Sequence, residues 1–377
     1  MNKHLAKVGG GIKNYFLNMD KPLFIVIMAA LVISLLAINS ATSNQDNHTR
    51  ALIIQSVGIS VGTMAMIIIS KIDYDILSDF SPLIIIVSSA ALLITAIIAP
   101  EINGNKNWIM VGPVNIQPSE FTKICFAVTM STHLTKLGDG MNKLKNIILL
   151  GVHFALYFIP IVLQGDIGTA LVYLGMFSVL IFVAGIKYRY IIIGAIIVLV
   201  AIPIIWEFLK VYQKERILYG FQPELDPLGR GYQPLASRMA IGSGQLFGLG
   251  YLKGIQSQND LLPAIHTDFI YAIIGEEGGF ILSILVLLIL ISIILLIFRD
   301  GYKAKDQKGF YICIVIASMI MFQTIINIGM CIGVAPVIGV TLPFFSYGGS
   351  SVLSLLMAIG LVQAVRLKPD RTLKFTL

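Results

Sequence analysis

LFIVIMAALVISLLAINSAT, at residues 23–42, contains no charged side chain over 20 residues. An α-helix needs about 20 predominantly apolar residues to cross the hydrocarbon core of a bilayer. Similar runs recur along the chain, and the polar breaks between them delimit ten candidate spans, at 23–42, 51–71, 82–99, 119–136, 146–163, 167–186, 190–208, 268–298, 310–332 and 346–365. The sequence therefore predicts an all-α, polytopic integral membrane protein.

The composition excludes an ordinary soluble domain. Of the 377 residues, 56% are hydrophobic and 12% are charged, whereas soluble domains carry about 25% charged residues. Cys125, Cys313 and Cys331 lie in or beside apolar runs without a CxxC pair, so we interpret them as buried apolar side chains and not as disulfide or metal sites. The residues identify no cofactor, and a requirement for a divalent cation stays open.

The basic residues predict the orientation of the chain. Most of the 27 lysine and arginine residues fall near the two termini or in alternate short loops, and such segments lie on the cytoplasmic side of a membrane. Both termini are therefore expected to be cytoplasmic, and the net charge of +7 is attributed to the anionic inner leaflet and not to nucleic acid.

This orientation organises the chain as one transmembrane domain over 1–377. Cytoplasmic tails are expected at 1–22 and 366–377, and a large extracytoplasmic loop at 209–267 between helices 7 and 8. Within that loop the segment QPLASRMAIGSGQLFG, at 233–248, is too short to span and contains several glycines. Such a segment suits a re-entrant or interfacial helix.

Asp268 is the first candidate for chemistry, because it follows His266 and Thr267 where the eighth span is predicted to begin. A carboxylate at a helix N-terminus is stabilised by the unpaired amides, so a helix cap is one interpretation. The other is a general base at the membrane surface, within reach of a substrate whose head group lies outside. Local sequence leaves both open.

Other carboxylates also have two interpretations. Glu276 and Glu277 lie deeper in the same span, where ionisable groups mark a functional site or a structural polar core, for example a pair with Lys123. Asp166 opens a helix and suits a cap. Glu120 and Lys123, three residues apart in QPSEFTK, form a charged pair lining a cavity or belong to a well-capped helix start with Ser119 as the cap.

Basic residues of the outer segments are candidates for binding an anion such as a diphosphate. Arginine is favoured there because its guanidinium makes two parallel hydrogen bonds. Binding to lipid head groups, or simple solvation, is the alternative. The candidates are Lys106, Arg216, Arg230, Arg238 and Lys253. PFFSYGGSS, at 343–351, contains paired glycines that favour close helix approach.

Seven segments together resemble one family of membrane proteins, the shape, elongation, division and sporulation (SEDS) family. They occur in the family's order and are spread over most of the chain. The short tails and the APVIGVTLPF segment favour the rod-shape branch over the division branch. The segments are NWIMVGPVNIQPSEFTK (107–123), QGDIGTAL (164–171), YQKERI (212–217), DPLGRGYQ (226–233), AIGSG (240–244), LPAIHTDFIYAIIGEEGGF (262–280) and NIGMCIGVAPVIGVTLPFFSYGGSS (327–351).

The resemblance implies ten transmembrane helices and polymerisation of lipid II into glycan strands outside the bacterial cytoplasmic membrane during cell elongation. The family's essential aspartate corresponds to Asp268, which becomes the candidate general base. Lys123 and the outer arginines become candidates for steadying the diphosphate. Expected partners are a class B penicillin-binding transpeptidase and other membrane proteins of the elongation complex. Substrate-binding candidates in the matching motifs also include Glu120, Trp108, His266 and Ser346.

Some positions depart from the family pattern. Asn107 stands where the family often has Arg, with Lys106 adjacent, and Ala264 replaces a common Glu. These changes concern the cations around the donor and leave Asp268 in place. Two other functions stay in competition: a lipid II flippase or transporter, which Glu276 and Glu277 would suit, and a scaffold that activates a transpeptidase without catalysis of its own.

Overall fold

The computed structural model describes residues 19–102, 104–111, 114–209, 211–259 and 261–368. Most of both predicted tails, 1–22 and 366–377, therefore lies outside the described residues. Each of the ten predicted spans overlaps a helix. In chain order the helices are α1 (Lys21–Thr42), α2 (His48–Ile69), α3 (Tyr74–Asp79), α4 (Ser81–Ile98), α5 (Pro118–Leu137), α6 (Leu144–Leu163), α7 (Ile167–Val183), α8 (Tyr188–Phe208), α9 (Val211–Phe221), α10 (Tyr232–Ser243), α11 (Ile255–Gln258), α12 (Ile270–Tyr302), α13 (Gln307–Ile332) and α14 (Gly349–Leu367).

Seven of these helices are long and apolar enough to cross a membrane: α1, α2, α4, α6, α12, α13 and α14. Helix α7 and the first part of α8 are apolar but shorter, and α5 carries the charged residues Glu120, Lys123 and Lys136. The chain is thus a helical membrane protein, as its apolar runs predicted. Two short antiparallel strands, β1 (Ile109–Val111) and β2 (Val114–Ile116), form a hairpin just before α5.

Helices α13 and α14 form the centre of the bundle and are buried along most of their length, whereas α2 is largely exposed. Helix α2 approaches α14 closely at Gly58 and Gly62, four residues apart. A Cβ added at these positions would lie 2.9 Å from Cγ1 of Val352 and 2.7 Å from Cδ1 of Leu356. Small residues at this spacing allow membrane helices to pack backbone against backbone.

Helix α12 is broken at Gly279, whose φ of 67° and ψ of −165° are not helical. The segment 244–250, which follows α10, binds the backbone groups that the break leaves without helical partners. Leu249 N–H donates to the carbonyl of Glu276 at 2.9 Å, and Phe280 N–H donates to the carbonyl of Gln245 at 2.8 Å. Since lipid offers no hydrogen bonds, such a break requires protein partners.

An ion-pair cluster ties helix ends together at the end of the bundle opposite to Asp268. The Nζ of Lys368, just after α14, lies 2.7 Å from Oδ2 of Asp75 and 2.8 Å from Oδ2 of Asp306. Lys308 also pairs with Asp75, at 2.9 Å, and the Lys368 ammonium lies 4.0 Å from the centre of the Tyr74 ring. The cluster joins α3, the start of α13 and the end of α14.

Candidate active site

Asp268 lies in a turn directly before α12. The N–H groups of Thr267 and Asp268 both donate to the carbonyl of Ala264, whose φ is +55°. The helix begins at Ile270 with Phe269 as its N-cap and no side-chain cap. The helix-cap interpretation of Asp268 is therefore wrong, because Phe269 and not Asp268 occupies the N-cap position and the Asp268 carboxylate does not bind the first turn of α12.

Asp268 lines a central cavity of about 220 Å³, formed between segments that connect the helices and the ends of several helices. Arg216 of α9 and Trp108 lie on the same cavity, with Glu120 and Lys123 from α5. The loop before α14 contributes Thr341, Tyr347 and Gly348. Segments that are far apart in sequence therefore converge on one carboxylate.

Two further cavities flank the central one. A cavity of about 570 Å³ is lined by Arg216 and Arg230, so Arg216 lies between it and the central cavity. On the other side a cavity of about 300 Å³ shares Trp108, Thr267 and Tyr347 with the central cavity and also contacts Arg50 of α2. The space around Asp268 thus extends in two directions, as a reaction between two large substrates requires.

Burial raises the pKa of Asp268 to about 6. The Arg216 guanidinium acts against this rise by favouring the carboxylate, whereas the neighbouring Asp166 carboxylate adds to it. A carboxyl group with a pKa near 6 is largely ionised at neutral pH and is a stronger base than an ordinary aspartate. These are the properties of a general base.

Glu120 and Lys123 form a buried ion pair on the wall of the central cavity. Oε1 of Glu120 lies 2.8 Å from Nζ of Lys123, and the Ser354 hydroxyl donates to the other Glu120 oxygen at 3.2 Å. The predicted pair at this spacing is thus present and faces the cavity. Ser119 does not cap α5. The helix begins at Pro118, the residue before Ser119, and its N-cap is Gln117.

Asp166 caps α7, as its position at the predicted helix start indicated. Its Oδ1 accepts the N–H of Thr169 at 3.0 Å. Its Oδ2 accepts from the side-chain amides of Asn107, at 2.7 Å, and Gln117, at 3.0 Å. Asp166 therefore connects α7 to the segments around the β hairpin, which place Trp108 at the cavity.

Glu276 and Glu277 do not pair with Lys123, which binds Glu120 instead. Glu276 accepts the backbone N–H groups of Gln256, at 2.7 Å, and Ser257, at 3.2 Å. Glu277 accepts the hydroxyl groups of Ser257 and of Ser40 in α1. Both carboxylates thus hold the loop around α11 against α12 and α1, which is a structural role.

The remaining predicted residues lie around the cavity but do not form its lining. Ser346 donates to the carbonyl of Thr267 at 2.6 Å, and the ring of His266 packs edge-on against Tyr347 with 5.2 Å between ring centres. These contacts shape the turn that carries Asp268. The backbone N–H of Lys106 donates to the carbonyl of Gln164 at 2.8 Å.

Two predicted arginines bind carboxylates within the segment 209–267 itself. Arg238 pairs with Glu224 at 3.3 Å and donates to the carbonyl of Gly333 at 3.2 Å. Arg230 pairs with Glu215 at 2.7 Å but still lines the larger flanking cavity. Arg216 has no carboxylate at ion-pair distance among the described residues, which leaves its charge for a ligand.

Among the residues that sequence reasoning missed are Gln323 and Tyr347, which line the central cavity, and Asn327, which binds the backbone of Asp268. Gln323 and Asn327 are amides one turn apart within the apolar ninth span. Polar residues inside a membrane span mark function or polar contacts, so this signal was available in the sequence. Within the described residues, no group of three or more His, Cys, Asp or Glu could hold a metal ion.

Comparison with known proteins extends these findings. A family model described as a cell cycle protein, covering FtsW, RodA and SpoVE, matches residues 20–370. The peptidoglycan glycosyltransferase MrdB of Escherichia coli K12 is 34% identical over 355 residues, which cover 92% of this chain and 93% of that protein. The peptidoglycan glycosyltransferase RodA of Treponema pallidum is 29% identical over 420 residues, covering 92% of this chain and 97% of that protein.

A solved structure gives the same relationship. One chain of a peptidoglycan synthase complex that coordinates polymerization and crosslinking superimposes with a TM-score of 0.80 at 26% identity, covering 93% of this chain and 98% of that one. Motif order, fold and the family model agree, and the predicted SEDS membership is confirmed. The chain belongs to the FtsW, RodA and SpoVE family of cell cycle proteins.

Proposed function

We propose that the chain is a peptidoglycan glycosyltransferase that polymerises lipid II into glycan strands during cell elongation, with Asp268 as its general base. The observation that carries the proposal is Asp268 itself, an aspartate whose pKa is raised to about 6 and which lines a cavity between two others. The similarity to peptidoglycan glycosyltransferases over more than nine tenths of the chain supports this substrate class.

In the proposed reaction the 4-hydroxyl of one lipid II disaccharide attacks the anomeric carbon of another. A new glycosidic bond forms on one face of that carbon while the bond to the diphosphate oxygen breaks on the other, so the configuration inverts. Asp268 accepts the hydroxyl proton, and undecaprenyl diphosphate leaves with the bonding electrons. Arg216 lies where its charge would stabilise that leaving group.

The same proposal places the protein in the bacterial cytoplasmic membrane with both termini in the cytoplasm and Asp268 on the outer side. The lysines and arginines at the opposite end of the bundle, such as Arg299, Lys308 and Lys368, support this orientation. A class B penicillin-binding transpeptidase is the proposed partner, because the chain is similar to a component of a peptidoglycan synthase complex. Other membrane proteins of the elongation complex would bind the same assembly.

The structure weakens the argument for a flippase. That argument depended on Glu276 and Glu277 as carboxylates for coupling ions, and both are bound by backbone amides and serine hydroxyls. A scaffold role, in contrast, is compatible with an enzyme role and needs an activity test to separate the two.

The deciding experiment is polymerisation of lipid II by the purified protein, with and without its transpeptidase partner. Asp268→Asn should abolish strand synthesis, because the amide cannot accept the proton, while the thermal unfolding profile stays cooperative. Asp139→Asn, an exposed position at the opposite end of the bundle, is the matched control and should polymerise normally. Strand synthesis by Asp268→Asn at the wild-type rate would remove Asp268 from the mechanism, and no synthesis by the wild type with its partner would favour the scaffold.

A further inference from the structure

Helix α9 and the turns that follow it carry large apolar side chains that the rest of the described chain leaves exposed. Leu225 is 62% exposed and Leu228 is 93% exposed. Exposed apolar surface of this extent marks contact with a membrane or with another protein. The side chains concerned are those of Val211, Leu218, Phe221, Leu225 and Leu228.

The opposite face of α9 packs on the protein. Arg216 and Ile217 line a small cavity together with Ile167, at the start of α7. Gly220 lies against the loop before α14, because a Cβ added to it would clash with the backbone of Pro336. At 3.6 residues per turn, the exposed apolar residues of α9 fall on the side away from these contacts. Helix α9 is therefore amphipathic, with one packed face and one exposed apolar face.

Helix α9 lies at the level of a membrane surface. It begins three residues after the end of α8, and its packed face meets the start of α7. Trp206, in the last turn of α8, is 38% exposed, and the Nζ of Lys214 in α9 lies 5.9 Å from the centre of its ring. Tryptophan concentrates at the boundary between hydrocarbon and head groups, and lysine extends its ammonium to the polar side of that boundary.

The neighbourhood of this face favours lipid over a protein partner. Helix α8 is exposed along most of its described length, so the apolar face of α9 continues a surface that already contacts lipid. The nearby carboxylates are engaged within the segment itself, since Glu215 pairs with Arg230 and Glu224 pairs with Arg238. They leave few charged groups for the polar rim that a protein interface usually has.

We propose that the apolar face of α9 inserts among the acyl chains at the membrane surface on the Asp268 side, and that this contact fixes the depth of Arg216. An interfacial helix buries its apolar face about 5–10 Å into the boundary between head groups and acyl chains. Arg216 lies on the opposite face, at the cavities beside Asp268. The helix thus holds the guanidinium at the level of the phosphate groups of lipids. Only this last role rests on the proposed function, in which Arg216 stabilises a lipid-linked diphosphate.

The test measures what surrounds the face in the full-length protein, reconstituted in phospholipid vesicles. A nitroxide spin label is attached at one position at a time, at Leu218→Cys, Phe221→Cys or Leu225→Cys. The background carries Cys125→Ser, and the other two cysteines are buried. Oxygen, which concentrates in hydrocarbon, and a water-soluble nickel chelate then report the environment of each label by electron paramagnetic resonance.

Two exposed positions give the reference values. Ile197→Cys lies in the middle of α8 and reports lipid, and Asp46→Cys lies in the polar loop between α1 and α2 and reports water. The ratio of oxygen to chelate accessibility at the α9 positions should shift from the Asp46 value to the Ile197 value. It should keep that value when the transpeptidase partner is added.

Three results would overturn the membrane contact. Preferential access of the nickel chelate would place the face in water. Low access of both reagents in the protein alone would assign the face to a second copy of the chain. Low access of both reagents only after addition of the transpeptidase would assign it to that partner.

The role of Arg216 depth has its own test in the same vesicles. Leu218→Ser combined with Leu225→Ser should lower kcat/KM for lipid II by about tenfold or more, because a small displacement of a positioned group is costly. Leu218→Met combined with Leu225→Met keeps the face apolar and should retain the wild-type value. Thermal unfolding in detergent should be the same for both, since the exposed side chains support little of the fold.

Equal kcat/KM in the serine and methionine variants would overturn the role assigned to the depth of Arg216. Failure of the wild type to polymerise lipid II would remove the proposed function instead. The label measurements need no activity, so they decide the membrane contact in either case.

Discussion

The side-chain amide of Asn327 donates to the backbone carbonyl of Asp268, with 2.8 Å between Nδ2 and the oxygen. The same amide donates to the carbonyl of Val340 at 2.7 Å. One buried side chain of α13 thus joins the turn before α12 to the loop before α14. The position of the proposed base is therefore set by residues about sixty positions away in sequence.

Asn327→Leu should lower kcat for lipid II polymerisation by at least about tenfold, because two buried carbonyls lose their donor and the turn is released. Thr324→Val is the control on the same helix, since among the described residues the Thr324 hydroxyl binds only the carbonyl of Ile320 one turn back. Steady-state kinetics and thermal unfolding of both variants would check this. Normal kcat in Asn327→Leu would show that the turn holds Asp268 without this bond.

The pH dependence of the reaction should report the ionisation of Asp268. Because burial raises its pKa to about 6 and the base acts as the carboxylate, kcat/KM should fall about tenfold per pH unit below pH 6. Arg216→Gln removes the cation that favours the carboxylate, so this acidic limb should move to higher pH.

Arg230→Gln is the control variant for that shift. Because Arg230 already pairs with Glu215, this substitution should leave the acidic limb of the pH profile in place. Profiles of initial rate between pH 5 and 8 would measure the difference. If Arg216→Gln left the acidic limb at the same pH, Arg216 would not influence the pKa of Asp268.

The Glu120–Lys123 pair should behave as a buried ion pair in a double-mutant cycle of unfolding free energies. Removing either charge leaves the other buried and unpaired, so Glu120→Gln and Lys123→Met should each destabilise the protein by about 3–5 kcal/mol. The double variant should recover much of that loss. It should nevertheless polymerise lipid II poorly, because both side chains line the central cavity. Normal strand synthesis by the double variant would make the pair purely structural.

Gly279→Ala should destabilise the protein, by about 2–5 kcal/mol, for two reasons. The φ of 67° disfavours a side chain, and the new Cβ would clash with the backbone nitrogen of Gly248. Gly242→Ala is the control, because apart from the neighbouring backbone of α10 no atom of the described residues lies within 4 Å of the added Cβ. Thermal unfolding in detergent should show a lower Tm for the first variant and an unchanged or higher Tm for the second.

The cluster around Lys368 should contribute stability over a defined pH range. Burial alone would raise the pKa of Asp75, but hydrogen bonds from Lys368 and Lys308 lower it below its ordinary value. Burial alone would lower the pKa of Lys368, but hydrogen bonds with Asp306 and Asp75 raise it. Stability from the carboxylate is therefore present above about pH 4 and lost as the pH falls further, and stability from the ammonium is lost as the pH rises above about 10.5.

Lys368→Met should accordingly lower Tm by a few degrees at pH 7, and the difference from wild type should shrink as the pH falls toward 3. Lys143→Met, at an exposed lysine of the same end of the bundle, should have little effect at either pH. A difference between Lys368→Met and wild type that persisted at pH 3 would point to packing on Tyr74 and not to the ion pairs.

The helices were predictable from sequence because a membrane fixes the length of each apolar run, and each predicted span overlaps a helix. Contacts between residues within one helical turn were also predictable, because the spacing along a helix determines which side chains meet. Asp166 caps the helix that it precedes, and Lys123 binds the glutamate three residues before it. Partners in these cases lie within one turn of the chain.

Features that depend on distant partners were not predictable. Asp268 is not a helix cap, because contacts from Asn327 and Ser346 hold its turn and helix α12 begins only at Ile270. The partners of Glu277 include Ser40, more than two hundred residues away. Gln323 and Asn327 are visible in the sequence as amides inside an apolar span, but only the folded structure shows that Gln323 lines the central cavity and that Asn327 binds the backbone of Asp268.

The broken helix α12 has a consequence for the synthesis of the chain. Its partner segment, 244–250, precedes it in sequence and therefore leaves the ribosome first. When α12 enters the membrane, the backbone groups that satisfy its break are already available on the preceding loop. Separate expression of residues before and after position 260 should therefore leave the second piece with unpaired backbone groups in lipid.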